Sequence, residues 1–302
     1  MESPFKEGIL KGKIALLTGG GSGIGYEISV QLGSHGASIV IMGRRRKVLD
    51  AAVSSLHSLG IDAIAVVGDV RSKEDASYAV KSTFEKFGRL DILVNAAAGN
   101  FLSTAEDLTP NGFRTVMDID SVGTFTMCHE ALKYLKKGGI GKDPSESGGL
   151  IINISATIHY TASWYQVHAC AAKAAVDSIT RSLALEWGTD YEIRVNGIAP
   201  GPIKDTTGLS KLFLDETATT QMDSLKGIMP LFRMGDKWDV AMAAVYLACN
   251  AGKYLNGMTV IVDGGFWLSK TRYLGKDVVK RMSLVVEKRD RNSSGGVSTS
   301  KL

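Results

Sequence analysis

The residues best equipped for chemistry begin at position 18, where Thr18-Gly19-Gly20-Gly21-Ser22-Gly23-Ile24-Gly25 follows a short apolar run and precedes an amphipathic stretch. The spacing is T-G-x-x-x-G-x-G. Glycines placed this way serve a tight turn, close approach of backbone to a pyrophosphate, and close packing of helix on strand. A helix that starts here offers free N–H groups and the positive end of its dipole to an anion. Gly19, Gly21, Ser22, Gly23, Ile24 and Gly25 are therefore candidate dinucleotide-binding residues. A glycine run alone is a weak signal; between a strand and a helix of one βαβ unit it is a strong one. The next strand ends Ile41-Met42-Gly43-Arg44-Arg45-Arg46. A site for NADH places an acid there, to accept from the adenosine ribose hydroxyls. Gly43 stands in that place, and Arg44 and Arg45 suit a ribose 2′-phosphate through charge-assisted, bidentate hydrogen bonds. NADPH is the expected cofactor. Asp69 and Val70, after the third strand, are expected to flank the adenine. Asn95, Ala96 and Ala97 supply small residues where the cofactor crosses the sheet.

Positioning these groups requires a parallel sheet. β-branched runs read as strands at 14–17, 38–41, 63–67, 92–95, 150–154, 194–198 and 259–262. Helical stretches alternate with them at 26–35, 47–59, 72–87, 113–135, 167–187 and 237–248. Alternation of this kind predicts a doubly wound α/β Rossmann fold with a seven-stranded parallel sheet, in a single domain over 8–270. The segment 204–234 breaks the alternation after a strand end, where such sheets bind ligands. It reads either as a substrate-covering lid or as a peripheral helical insertion. Residues 271–302 read as a C-terminal extension and flexible tail, with Arg291-Asn292-Ser293-Ser294-Gly295-Gly296 inside it.

The bulk numbers exclude several classes. The 302 residues carry a net charge of +4, but from residue 270 onward nine Lys/Arg face three Asp/Glu. That balance of +6 leaves the body of the chain near −2. Without basic residues interleaved with aromatics on one face, nucleic-acid binding is not expected. No apolar run approaches the ~20 residues of a membrane-spanning helix, and the N-terminus lacks the apolar core of a secretory signal. Cys128, Cys170 and Cys249 have no C-x-x-C spacing. A disulfide framework and a metal site are both unexpected, and a reducing compartment fits.

The glycine motif, Asn95-Ala96-Ala97-Ala98-Gly99, Asn153-Ile154-Ser155, Lys173 and Pro200-Gly201-Pro202-Ile203 together resemble the short-chain dehydrogenase/reductases over about residues 8–267. The resemblance assigns Pro200, Gly201, Ile203 and Lys173 to the cofactor site. It also exposes departures. Members of that family use an Asn, a Ser, a Tyr and a Lys, with Tyr and Lys spaced Y-x-x-x-K. Here Lys173 is kept, but the Tyr position is Ala169, the Ser position Ala156 and the Asn position Asp120. Both proton-donating hydroxyls are gone, so a plain alcohol dehydrogenase or ketone reductase is not expected.

Within the family the chain is most similar to the peroxisomal 2,4-dienoyl-CoA reductases, through Asn100-Phe101, Met117-Asp118-Ile119-Asp120, Ala156-Thr157 and the run from His168 to Asp177. The last three residues, Ser300-Lys301-Leu302, read as a peroxisomal address recognised by an import receptor. The resemblance implies NADPH-dependent reduction of a 2,4-dienoyl-CoA to a 3-enoyl-CoA, in degradation of unsaturated fatty acids. No alcohol forms, so a permanent phenol is dispensable and water can deliver the proton to carbon. Asp120 and Lys173 are expected to orient and polarise that water. Asp177, four residues on, either tunes Lys173 and joins the water network or forms an i,i+4 ion pair with it. Asn100 and Phe101 are expected to line the acyl or thioester pocket, Tyr160 or Tyr165 to be a replacement donor if there is one, and His168 to be a packing residue. Relatives pair through the long helices at 113–135 and 167–187, so a homodimer or homotetramer is implied. Reduction of another enoyl-CoA or carbonyl, and non-catalytic NADPH binding, stay open.

Overall fold

Apolar residues at nearly every position of β1 (Ile14–Thr18), β4 (Ile92–Asn95) and β5 (Leu150–Ile154) are buried, as strands covered on both faces require. The structure, a computed structural model, describes residues 2–206, 227–269, 276–279 and 281–282. It divides into Met1–Trp267 and Leu268–Leu302, and the sheet lies in the first. With β2 (Ser38–Gly43), β3 (Ala63–Val67), β6 (Arg194–Pro200) and β7 (Thr259–Val262), the seven strands run parallel in the order β3-β2-β1-β4-β5-β6-β7. The order reverses between β1 and β4, and the crevice outside the strand ends at such a reversal is where ligands bind.

The side-chain period of two sorts the strands onto two cores. Ala15 and Leu17 pack with α1 (Gly23–Ser34), α2 (Arg46–Ser58) and α7 (Lys237–Ala248). Leu16, Val40 and Leu93 pack on the other face with α3 (Lys73–Phe87), α5 (Gly123–Leu135) and α6 (Val167–Tyr191). The helices begin where local chemistry allows. Ser72 caps α3 by accepting from Asp75 N–H, and Thr109 caps α4 (Pro110–Met117), whose first residue is proline. Asp236 and Asp239 form a reciprocal capping box on α7.

Among the helices, two depart from the sequence expectation by more than their end residues. The helix expected over 113–135 is three pieces: α4, a π turn at Asp118–Val122 and α5. Ser121 donates to Met117 O at 2.6 Å, and one extra residue enters the turn. Helix α6 runs to Tyr191, because Gly188 packs against Asn256 instead of ending the helix. At the opposite end of the sheet from the crevice, buried Asp91 accepts from Arg89 at 2.6 Å and from Ile14 N–H at 3.0 Å, and Arg89 also reaches Glu146 at 2.6 Å. The ends of the segment 204–234 are joined by a bridge of Ile203 with Gly235 and by Lys204–Asp236 at 2.7 Å. The rest of that segment, 207–226, lies outside the described residues, as does Ser300-Lys301-Leu302. No described helix is long and apolar enough to cross a membrane.

Candidate active site

The strand ends at the reversal bring the glycine turn, the loop after β4 and the start of α6 to one edge of the sheet. Gly19 adopts φ +66°, and a Cβ there would lie 2.8 Å from Ala96 O. A Cβ on Gly25 would meet Gly19 O at 2.6 Å, so only glycine lets α1 fold back so tightly on the turn. Thr18 accepts at Oγ1 from the N–H groups of both Ala96 and Ala97 at 3.1 Å, tying the turn to the loop after β4. Ser22, at the start of α1, makes no side-chain cap. The first helical amides, of Gly23, Ile24 and Gly25, therefore face outward with neither an intrahelical nor a side-chain acceptor. That is a seat for a pyrophosphate, and it fits a dinucleotide.

Arg44 is mostly exposed, with Asp69 at 4.0 Å, and Arg45 stands extended just before α2. Asp69 is instead engaged by Arg71, which donates twice to it from one guanidinium at 2.6 and 3.1 Å. The hydrogen bond from Arg71 holds the Asp69 carboxyl below its ordinary range. The Arg44 fork is left available to an anion. On the other side of the crevice, Asn95 donates to Asn153 at 2.9 Å and Asn153 to Thr180 at 2.9 Å, fixing β4 against β5 and α6. Gly201 and Ile203 follow β6, where Gly201 donates to Val262 O at 3.1 Å.

Lys173 and Asp120 form the centre. Lys173 Nζ lies 3.0 Å from Asp120 Oδ2 and donates to Ile154 O at 2.9 Å, and both side chains are buried. Asp120 Oδ1 accepts from Gly99 N–H at 2.6 Å. The π turn swings Asp120 toward α6 and the loop after β4. An ammonium has three donors, so Lys173 keeps one N–H beyond these two partners. The alternative of an ion pair between Lys173 and Asp177 is not what the structure shows. Asp177 Oδ2 lies 3.0 Å from His159 Nε2, deeper along the same helix, and both residues are largely buried. Tyr160 stands beside this pair, its ring edge-on to His159 and to Trp267. Burial and the neighbouring Asp177 carboxylate push its phenol up to about 12. Tyr165 is exposed, with an unusual φ of +61°. Asn100 donates to Gln166 at 2.7 Å, and the Phe101 ring stacks on buried His168. No cluster of three or more His, Cys, Asp or Glu among the described residues could hold a metal.

Sequence reasoning gave no role to the Thr18 hydroxyl or to His159. The first carried a signal, a hydroxyl directly before the glycine run. The second had none, because His159 and Asp177 belong to a loop and a helix whose packing sets their meeting.

Comparison with known proteins settles the family. Residues 19–267 match the family model described as "Enoyl-(Acyl carrier protein) reductase". The chain is 65% identical over 302 residues, 100% of both chains, to an Arabidopsis thaliana protein named peroxisomal 2,4-dienoyl-CoA reductase [(3E)-enoyl-CoA-producing]. A mouse protein of the same name is 40% identical, over 88% of this chain and 87% of its own. The crystal structure of a short chain dehydrogenase from Bacillus anthracis superposes with a TM-score of 0.77 at 38% identity, covering 87% of this chain and 100% of its own. The chain belongs to the short-chain dehydrogenase/reductase family.

Membership implies a nicotinamide dinucleotide as cofactor, and the crevice at the sheet reversal is where this family's fold holds it. Ala169 presents a buried methyl where the family phenol stands, and Ala156 a methyl where the hydroxyl of the family serine stands. Ser155, next to Ala156 in the chain, has its Oγ 3.5 Å from His159 Nε2 and from Lys173 O.

Proposed function

We propose that this chain reduces 2,4-dienoyl-CoA thioesters to 3-enoyl-CoA products with NADPH. The observation that carries the reading is the buried Asp120–Lys173 pair, with Ala169 four residues before Lys173 in a family that otherwise donates a proton from tyrosine there. Full-length identity of 65% to a protein named for this activity supports it. Bound at the turn, the reduced nicotinamide would supply a hydride to the δ-carbon of the conjugated thioester.

The chain's own residues then do the rest. The amides of Gly23, Ile24 and Gly25, with Gly21 and Ser22, seat the pyrophosphate, and Arg44 and Arg45 bind the 2′-phosphate that distinguishes NADPH. Asp69 and Val70 bound the adenine, while Asn95, Ala96, Ala97, Pro200, Gly201 and Ile203 bound the path across the sheet. Lys173 holds the nicotinamide ribose. Electron density pushed through the diene reaches the thioester oxygen, and a proton must then reach the α-carbon. The Lys173 charge polarises a water, and Asp120 orients it. Asp177, paired with His159, supplies the inner negative charge of this group. Tyr160 is a poor donor by comparison, since its phenol is held protonated beside a carboxylate. Asn100 and Phe101 line the thioester end of the substrate pocket.

We further propose peroxisomal residence through Ser300-Lys301-Leu302, in keeping with the names of the relatives, and self-association through the exposed faces of the π turn, α5 and α6, which present Val122, Phe125 and Leu185. Purified protein with NADPH, given 2,4-hexadienoyl-CoA beside 2-hexenoyl-CoA, tests the activity at the dienoyl absorbance band. Consumption of the diene alone is expected. Reduction of the monoene at a similar rate contradicts the reading, and NADPH binding without turnover of either marks a non-catalytic scaffold.

A further inference from the structure

The loop after β4 hangs from four attachments. Gly99 N–H donates to Asp120 Oδ1 at 2.6 Å, and Asn100 donates to Gln166 at 2.7 Å. Ser103 N–H donates to Tyr165 O at 3.0 Å, and the Phe101 carbonyl lies 3.0 Å from His168 Nε2. The Phe101 ring also stacks on the imidazole, with centroids 4.4 Å apart and planes 29° apart. Its tip rests on α4 at Gly112, where a Cβ would lie 3.2 Å from it. Phe101 is 37% exposed, whereas His168 is wholly buried. One ring is thus open to solvent and the other is its backing.

A carbonyl only accepts, so His168 Nε2 carries the hydrogen, and burial holds the imidazole below its ordinary range against the opposing Phe101 carbonyl and Asp120 charge. Its Nδ1 is buried without a partner. An unsatisfied buried nitrogen costs free energy that an aliphatic side chain in the same space would not. What the imidazole gives in return, and leucine could not, is the bond to the Phe101 carbonyl.

We propose that His168 is a positioning residue that fixes the Phe101 wall and so sets affinity for the acyl-CoA substrate. This rests on the 2,4-dienoyl-CoA reading above. No hydrogen bond or ion pair joins His168 to Lys173 or Asp120, and the Gly99–Asp120 attachment does not involve it, so its effect is expected to fall on substrate binding. H168F keeps an aromatic stack and removes the donor. H168Q carries an amide N–H the same number of bonds from Cβ as the imidazole Nε2–H and removes the stack.

The test is saturation kinetics with 2,4-hexadienoyl-CoA and 2,4-decadienoyl-CoA, beside NADPH titration. H168F is expected to raise KM for both thioesters tenfold or more, with kcat within threefold and NADPH affinity unchanged. H168Q is expected to recover most of the KM. An unchanged KM in folded H168F overturns the proposal. So does a joint fall of kcat and NADPH affinity, the mark of a merely packed residue, or an H168Q no better than H168F. Should H168F not fold, F101L and H168L, which loses both the donor and the stack, decide. Their double variant must raise KM no more than the worse single one, and additive effects overturn the proposal. Failure of the unsubstituted protein to consume any diene is a different result: it removes the functional reading and this inference with it.

Discussion

At the scale of single residues, the account divides cofactor binding from proton delivery. Asp120 takes both its oxygens to named partners, Lys173 and Gly99, and lies in no part of the glycine turn. Asp120→Ala is therefore expected to lower kcat by about 100-fold or more, the range of a lost acid–base group, while NADPH titration gives an unchanged Kd. Arg44 and Arg45 sit at the other end of the site. Replacing both with alanine is expected to weaken NADPH by ~1.5–3 kcal/mol, the scale of hydrogen bonds to charged groups, and to leave NADH binding as it was. Comparative titration of the two nucleotides reads this directly. These residues were legible to different degrees. The arginines follow a strand end at a fixed place, so local order reveals them. Lys173 and Asp120 are 53 positions apart, and only the family's spacing joined them before the structure set them 3.0 Å apart. Asp177 invited an i,i+4 reading with Lys173, but His159, from the loop after β5, reaches it first.

At the scale of elements, parallel strands were plain because burial on both faces makes them near-continuous apolar runs. All seven were found, and β6 proved two residues longer than its expectation. The π turn was not legible. One extra residue inside a helix leaves composition and apolar spacing almost unchanged, yet it carries Asp120 toward Lys173. The glycine turn is the opposite case, since its need is written in residue type. Gly25→Ala would force a methyl to within 2.6 Å of Gly19 O. The substitution is expected to cost ~1–3 kcal/mol, as overpacking does, and to abolish dinucleotide binding. Thermal unfolding and NADPH titration of the same preparation measure both.

At the scale of the whole molecule, the two ends of the sheet have separate tasks. Ligand-binding groups gather where the strands end, and the opposite end is fastened by charge. Burial alone would raise the Asp91 carboxyl, but the hydrogen bond from Arg89, the Lys142 charge and the Ile14 N–H outweigh it and hold the group below its ordinary 3.8. Below that ordinary value the unfolded chain binds the proton more readily than the folded one, so stability rises with pH there. The contribution is complete above the unfolded pKa and disappears as pH falls through the folded one. Asp91→Asn is expected to destabilise at neutral pH by ~3–5 kcal/mol, because the buried Lys142 ammonium loses its counter-charge and half-buried Arg89 keeps only Glu146. It is also expected to flatten the acid limb of a denaturation series without changing kcat. The central claim, that electrons enter at the far end of a diene and solvent finishes the product at the α-carbon, is tested most directly by isotope placement. With 2,4-hexadienoyl-CoA and NADPH in deuterium oxide, NMR of the product should show one deuterium at C2 and the remaining double bond between C3 and C4. Solvent deuterium at C4 with a double bond between C2 and C3 would contradict it.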